Sequence, residues 1–194
     1  MKFYLLIFLV AAAVTYLTVP LVRQFALATG TLAPVRERDV HEFPTPRLGG
    51  VAMGVGFLAA LAIASHTPFL ADAASFEHVK GLAVGVVLIV ILGVIDDIWD
   101  LDWYTKLAGQ ILVAGLMSWL GIQLTSFPIF GLTIGSSRLS LLVTVLVVVA
   151  AINAVNFVDG LDGLASGMMA ISATGLFIYS YTLSRTLGAA SYAS

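Results

Sequence analysis

The sequence predicts an all-α, polytopic membrane protein with about six transmembrane helices, and three observations carry that prediction. Hydrophobic residues make up 60% of the 194 residues, charged residues only 10%, and the mean hydropathy is +1.04; soluble domains sit near roughly 45–50% apolar and 25% charged. The apolar residues gather in charge-free windows of spanning length, with the polar residues collected at the window ends. Cysteine is absent, which excludes disulfides and thiolate metal centres. A formal net charge of −2 gives no support for nucleic acid as a partner.

The first window, "FYLLIFLVAAAVTYLTVPLV" over 3–22, has the roughly 20 apolar residues a bilayer requires. A single Lys2 precedes it and no clear small-residue cleavage site follows, so it reads as a first membrane helix and not as a cleaved leader. Further helices are expected over 48–65, 80–95, 107–124, 139–157 and 164–184. The third is short, but Gly81–Ile95 is wholly apolar, and Lys80 can snorkel from its end. Between the fourth and fifth, "TSFPIFGLTIGSS" has turn residues and no charge before Arg138; it is expected to lie in the interface or dip into the membrane. No internal repeat, heptad or low-complexity tract is visible.

Six spans place the loops alternately on two sides. The first loop, 23–47, holds Arg23, Arg36, Arg38 and Arg47, and this basic cluster predicts that it is cytoplasmic with the N-terminus outside. The carboxylates are more lopsided. Glu37, Asp39, Glu42, Asp96, Asp97, Asp100, Asp102, Asp159 and Asp162 fall on the first-loop side, leaving only Asp72 and Glu77 on the other.

Three segments meet on that face. In "RERDVHEFPTPRLGG", 36–50, Pro44 and Pro46 enforce extended backbone, and Gly49-Gly50 permits close approach at the start of the second span. In "GVIDDIWDLDWYTKLAGQ", 93–110, adjacent Asp96 and Asp97 cannot face the same way on a helix, whereas Asp96 and Asp100 can. Asp102 and Lys106 also stand four apart. In "NAVNFVDGLDGLASG", 153–167, the spacing of three places Asn153, Asn156 and Asp159 on one broad helical face. Gly160 and Gly163 then supply turn points, with Asp162 between them.

Taken singly, each feature has a plain structural reading. Asp-Gly is a turn signal, Asp162 can cap the next helix, and His41 can be an ordinary loop histidine. The asparagines can hydrogen-bond a neighbouring helix. Gathered on one face beside arginines, they point to a shared site. No Ser-His-Asp arrangement, thiol nucleophile or phosphate-binding glycine loop is present. A pocket of carboxylates and amide oxygens suits a hard divalent cation, with Mg²⁺ the usual choice beside phosphates. An acidic face would repel phosphorylated substrates unless such a cation lay between, with arginines and Lys106 neutralising the remainder. The membrane setting points to a lipid as one substrate. An ion-coupled transporter is the rival reading, but it calls for acids near mid-bilayer, and these cluster at span ends.

The second and third segments together resemble the signature motifs of the polyprenyl-phosphate N-acetylhexosamine-1-phosphate transferases, in matching order from about residue 15 to 185. "HEFPTPRLGG" is similar to the branch that uses UDP-GlcNAc, not the phospho-N-acetylmuramoyl-pentapeptide branch, which is the alternative. The resemblance implies transfer of a sugar-1-phosphate from a UDP-sugar to a membrane polyprenyl phosphate, with release of UMP. It implies Mg²⁺, with Mn²⁺ as the substitute, at the cytoplasmic face of a bacterial plasma membrane, and a homodimer as one candidate assembly.

By motif matching, Asp96, Asp97 and Asp159 would lie at the metal and lipid phosphate, Asn156 would line the catalytic centre, and Lys106 would contact phosphate. Gly160, Leu161 and Asp162 would lie at the uridine, with Asn153 nearby; His41 and Arg47 belong to the first-loop motif, toward phosphate. The family's fold has ten or eleven helices, so the resemblance implies a truncated, N-terminal half of it. A further metal-binding aspartate and a histidine-rich loop would then be missing, and the isolated polypeptide is expected to be inactive.

Overall fold

The computed structural model describes the whole chain apart from residues 1, 34–44, 47, 68–75, 125, 128–131, 134–135, 159–162 and 192–194. Its described helices are α1 (Lys2–Thr29), α2 (Gly49–His66), α3 (Phe76–Trp99), α4 (Trp103–Trp119), α5 (Ser137–Val158) and α6 (Leu164–Ser191). Two short antiparallel ladders interrupt them. β1 (Leu32–Ala33) pairs with β2 (Thr45–Pro46), Leu32 lying opposite Pro46, and β3 (Ser126–Phe127) pairs with β4 (Leu132–Thr133). The all-α class holds. The first ladder lies at the base of the first loop, and the second joins two short stretches of the segment between α4 and α5.

Among the described residues, α1, α2, α3, α5 and α6 are long and apolar enough to cross a membrane. Helix α4 has 17 residues, about 25 Å at 1.5 Å per residue, short of a hydrocarbon core of about 30 Å. Its bounds also differ from the expected 107–124. It begins directly after Asp102 in the N-cap position, and it ends where Gly121 takes φ 95. There the Ile122 N–H donates to the Met117 carbonyl at 3.1 Å and the Gly121 N–H to Ser118 at 3.2 Å, a Schellman ending. Helix α1 runs past the expected residue 22, through Pro20, to the same kind of stop: Gly30 has φ 71 and the Thr31 N–H reaches the Ala26 carbonyl at 2.9 Å.

Many large apolar side chains are exposed, including Phe8, Tyr16, Leu17, Leu112 and Trp119. A soluble monomer does not tolerate such surface; a multi-pass membrane protein turns it to hydrocarbon.

The described residues fall into two compact units, one reaching to Ala150 and the other beginning at Ala151. In the first, sequential helices pack as antiparallel neighbours, α1 on α2, α2 on α3 and α3 on α4. Small residues make this possible. Ala52, Gly56 and Ala60, four apart, are buried on α2, the spacing that lets membrane helices approach closely. A Cβ at Gly56 would stand 2.8 Å from the Ala11 carbonyl oxygen of α1, and one at Gly85 would stand 2.3 Å from Met117 Sδ of α4. The polar side chains of α5 are used locally. Thr144 Oγ1 accepts the Leu124 N–H at 2.9 Å, and Ser140 Oγ donates to the Leu124 carbonyl at 2.6 Å, which ties the strand leaving α4 to α5.

Candidate active site

Three helix ends meet at one end of the first unit: the start of α2, the last turn of α3 and the start of α4. Asp96 and Asp97 sit on that last turn, where the exposed carbonyls of the helix carry partial negative charge. Each carboxylate there is unfavourable by about 0.3–1 kcal/mol, so the turn calls for compensating positive groups.

The two acids diverge, as neighbours on a helix must. Asp96 accepts the Lys106 ammonium of α4 as an ion pair, with the two side chains 20% and 31% exposed. Asp97 turns toward α2, where its Oδ2 accepts the Leu48 N–H at 3.0 Å. The acidic segment is thus joined to the proline–glycine segment from one side and to the head of α4 from the other.

One expectation is corrected here. Asp96 and Asp100 do not share a helical face, because α3 ends at Trp99 and Asp100 takes φ 50, a left-handed turn residue whose N–H reaches the Asp96 carbonyl at 2.8 Å. Aspartate tolerates that region better than most residues. A Cβ at Gly49 or Gly50 would meet nothing within 4 Å among the described residues, so the head of α2 is open there. Asp102 occupies the N-cap position of α4 without a side-chain cap, its carboxylate instead accepting the Tyr104 hydroxyl at 2.7 Å.

A groove of about 270 Å³ opens between α2 and α3 beside Asp97. Its walls are apolar, from Val51, Met53, Ile89, Val90 and Val94, and Leu48 and Asp97 also line it.

Leu48 is the residue that sequence reasoning missed. It holds φ 76 and ψ 9 at the N-cap of α2 and is 3% exposed. A left-handed leucine costs roughly 1–2 kcal/mol, and a hydrogen bond to a charged acceptor returns about 1.5–3 kcal/mol. Glycine or asparagine at this position would have signalled the conformation; leucine does not.

In the second unit, Asn153 and Asn156 lie exposed on the last two turns of α5. Gly163 takes φ 75 just before α6, and its carbonyl accepts the Gly167 N–H at 2.8 Å and the Ser166 hydroxyl at 3.0 Å. Asp159, Gly160, Leu161, Asp162, His41 and Arg47 lie outside the described residues. Among the described residues no group of three His, Cys, Asp or Glu side chains is gathered to hold a metal. Asp96 and Asp97 offer the hard oxygen donors that a divalent cation prefers, but they supply only part of a ligand set.

A carboxylate pair on the last turn of one helix and a lysine from the next thus meet at one end of a multi-pass membrane protein. Residues 79–193 match the family described as Glycosyl transferase family 4, and this chain belongs to that family.

It is 43% identical over 190 residues to a decaprenyl-phosphate N-acetylglucosaminephosphotransferase of Mycolicibacterium smegmatis, covering 94% of this chain and 46% of that protein. A protein of the same name from Mycobacterium leprae is 41% identical over 187 residues, 93% of this chain and 46% of the relative. A probable undecaprenyl-phosphate N-acetylglucosaminyl 1-phosphate transferase of Bacillus subtilis is 28% identical over 127 residues, 65% of this chain and 33% of the relative. The chain thus spans a little under half the length of its mycobacterial relatives.

Proposed function

We propose that this chain carries the acidic half of a site that transfers GlcNAc-1-phosphate from UDP-GlcNAc to a polyprenyl phosphate and releases UMP, on the cytoplasmic side of the membrane with the N-terminus outside. The observation that supports it best is the joining of the first-loop segment to the acidic segment through Leu48 and Asp97. Two stretches 49 residues apart, both expected to face phosphate, are in contact. The names of the relatives favour GlcNAc over a muramoyl-pentapeptide donor. Acids at the last turn of α3, not at mid-helix, weigh against an ion-coupled transporter.

In the reaction, an oxygen of the lipid phosphate attacks the phosphorus bearing the sugar. A new pyrophosphate bond forms, and the bond to the bridging oxygen of UMP breaks, so UMP leaves with that electron pair. One aspartate of the Asp96–Asp97 pair takes the proton of the acceptor phosphate when it arrives protonated. Lys106, already on Asp96, offsets charge on the transferring phosphoryl group. By motif resemblance the proposal extends to Asn156 and Asp159 in the catalytic role, to Asn153, Gly160, Leu161 and Asp162 for the UDP-sugar, and to His41 and Arg47 for phosphate. Mg²⁺, held by Asp96, Asp97 and Asp159, would polarise the phosphoryl oxygens and screen the carboxylates from the substrates.

The test uses the product of the full coding sequence in detergent, with UDP-GlcNAc and a polyprenyl phosphate. UMP release should require Mg²⁺ and be lost with EDTA. Asp97→Asn and Asp159→Asn should each slow it by about a hundredfold or more. Near-normal rates in both variants would refute the assignment.

A further inference from the structure

We propose that Leu48, a side chain with no chemistry of its own, is a positioning residue: its amide, held by the Asp97 carboxylate, latches the junction of the first loop and α2 onto the acidic turn of α3. The inference rests on the reading of that turn as a phosphosugar site and adds to it the device that sets its geometry.

Three observations converge on residue 48. Its backbone sits at φ 76 and ψ 9, a conformation that non-glycine residues keep only where the surroundings over-determine it. Both of its backbone polar groups are engaged: the N–H donates to Asp97 Oδ2 at 3.0 Å, and the carbonyl accepts the Val51 N–H at 3.0 Å. Its side chain is 3% exposed and lines the same groove as Asp97.

Two residues earlier, Pro46 pairs with Leu32 in the ladder at the loop's base. The chain is therefore pinned at 46 and again at 48, with Arg47 covalently between them. A carboxylate that accepts a backbone N–H is also oriented by it, so the latch works in both directions. It fixes where the first loop enters α2, and it fixes how Asp97 faces the site. The acidic pair and the first-loop segment then meet a phosphorylated substrate as one unit.

Hydrogen exchange of this chain in lipid nanodiscs, read on peptides covering residue 48, tests the latch directly. Asp97→Leu removes the acceptor and should lower the protection factor at residue 48 by about tenfold or more, whereas Asp97→Asn keeps a carbonyl acceptor and should stay within about threefold of the parent. Unchanged protection in Asp97→Leu would overturn the proposal.

A second pair of variants decides the matter even if Asp97→Leu does not fold. Leu48→Gly adopts φ 76 without strain and keeps the amide, while Leu48→Ala bears the strain and loses the buried side chain. Protection should be higher in Leu48→Gly than in Leu48→Ala. The KM for UDP-GlcNAc of the full coding product should rise more in Leu48→Ala. A side chain that merely packs would give the reverse order, because glycine leaves the larger cavity, and that order would overturn the latch. The two readings fail separately: an Asp97→Asn variant that retains both protection and full UMP release leaves the latch standing and removes Asp97 from the chemistry.

Discussion

Gly56 on α2 gives a prediction whose size follows from the packing of the first unit. Replacing it with alanine places a Cβ 2.0 Å from Thr15 Oγ1, 3.2 Å from Thr15 Cβ and 2.8 Å from the Ala11 carbonyl oxygen. The threonine hydroxyl can rotate away. The carbonyl belongs to the backbone of α1 and retreats only if the two helices separate by several tenths of an ångström. Overpacking of this kind costs about 1–3 kcal/mol, while alanine in a helix gains about 1 kcal/mol over glycine.

Gly115→Ala is the internal control, because a Cβ there meets nothing within 4 Å among the described residues and the propensity gain is common to both. The difference between the two variants is then the overpacking alone. For a protein of this size, about 2 kcal/mol corresponds to a Tm difference of about 4–8 °C. Thermal unfolding in detergent, followed by circular dichroism, reads it. A Gly56→Ala protein as stable as Gly115→Ala would refute the close α1–α2 contact.

Lys106→Met strips Asp96 of its cation; because the pair is partly solvated, the stability loss should stay near about 1 kcal/mol. UMP release by the full coding product should nevertheless fall by about a hundredfold. A rate within a factor of a few would show that Lys106 serves only the fold. The Ser118 hydroxyl is buried with no hydrogen-bond partner among the described residues. Ser118→Ala should therefore be neutral or stabilising by up to about 1 kcal/mol, whereas Thr144→Val, which loses the bonds to Leu124 and Ser140, should cost about 1–2 kcal/mol. Denaturant midpoints of the two variants check the opposite signs.

Much of the fold was legible because hydropathy and membrane thickness leave few alternatives. Helix ends were less so. Residues 120–124 look spanning by composition, yet Gly121 at φ 95 stops α4 earlier; a glycine after an apolar run was the available signal, outweighed by the window. The divergence of Asp96 and Asp97 followed from helical geometry, and the structure gives each its own partner. Asp100 escaped because the i, i+4 rule assumes that the helix continues, and the turn into α4 breaks it. Leu48 was invisible for a different reason. Its role lies in its backbone, and a leucine carries no mark of a left-handed conformation or of an amide that a carboxylate 49 residues away will hold.

The proposed function requires that Asp102, after the acidic turn of α3, and Gly163, before α6, face the same aqueous phase. The chain has no cysteine, so single cysteines can be placed at Asp102 and Gly163 without background. Labelling with a membrane-impermeant maleimide in spheroplasts and in inverted vesicles then reports the side of each. Both positions should react in inverted vesicles and stay protected in spheroplasts. Reaction of the two from opposite sides would contradict the account outright.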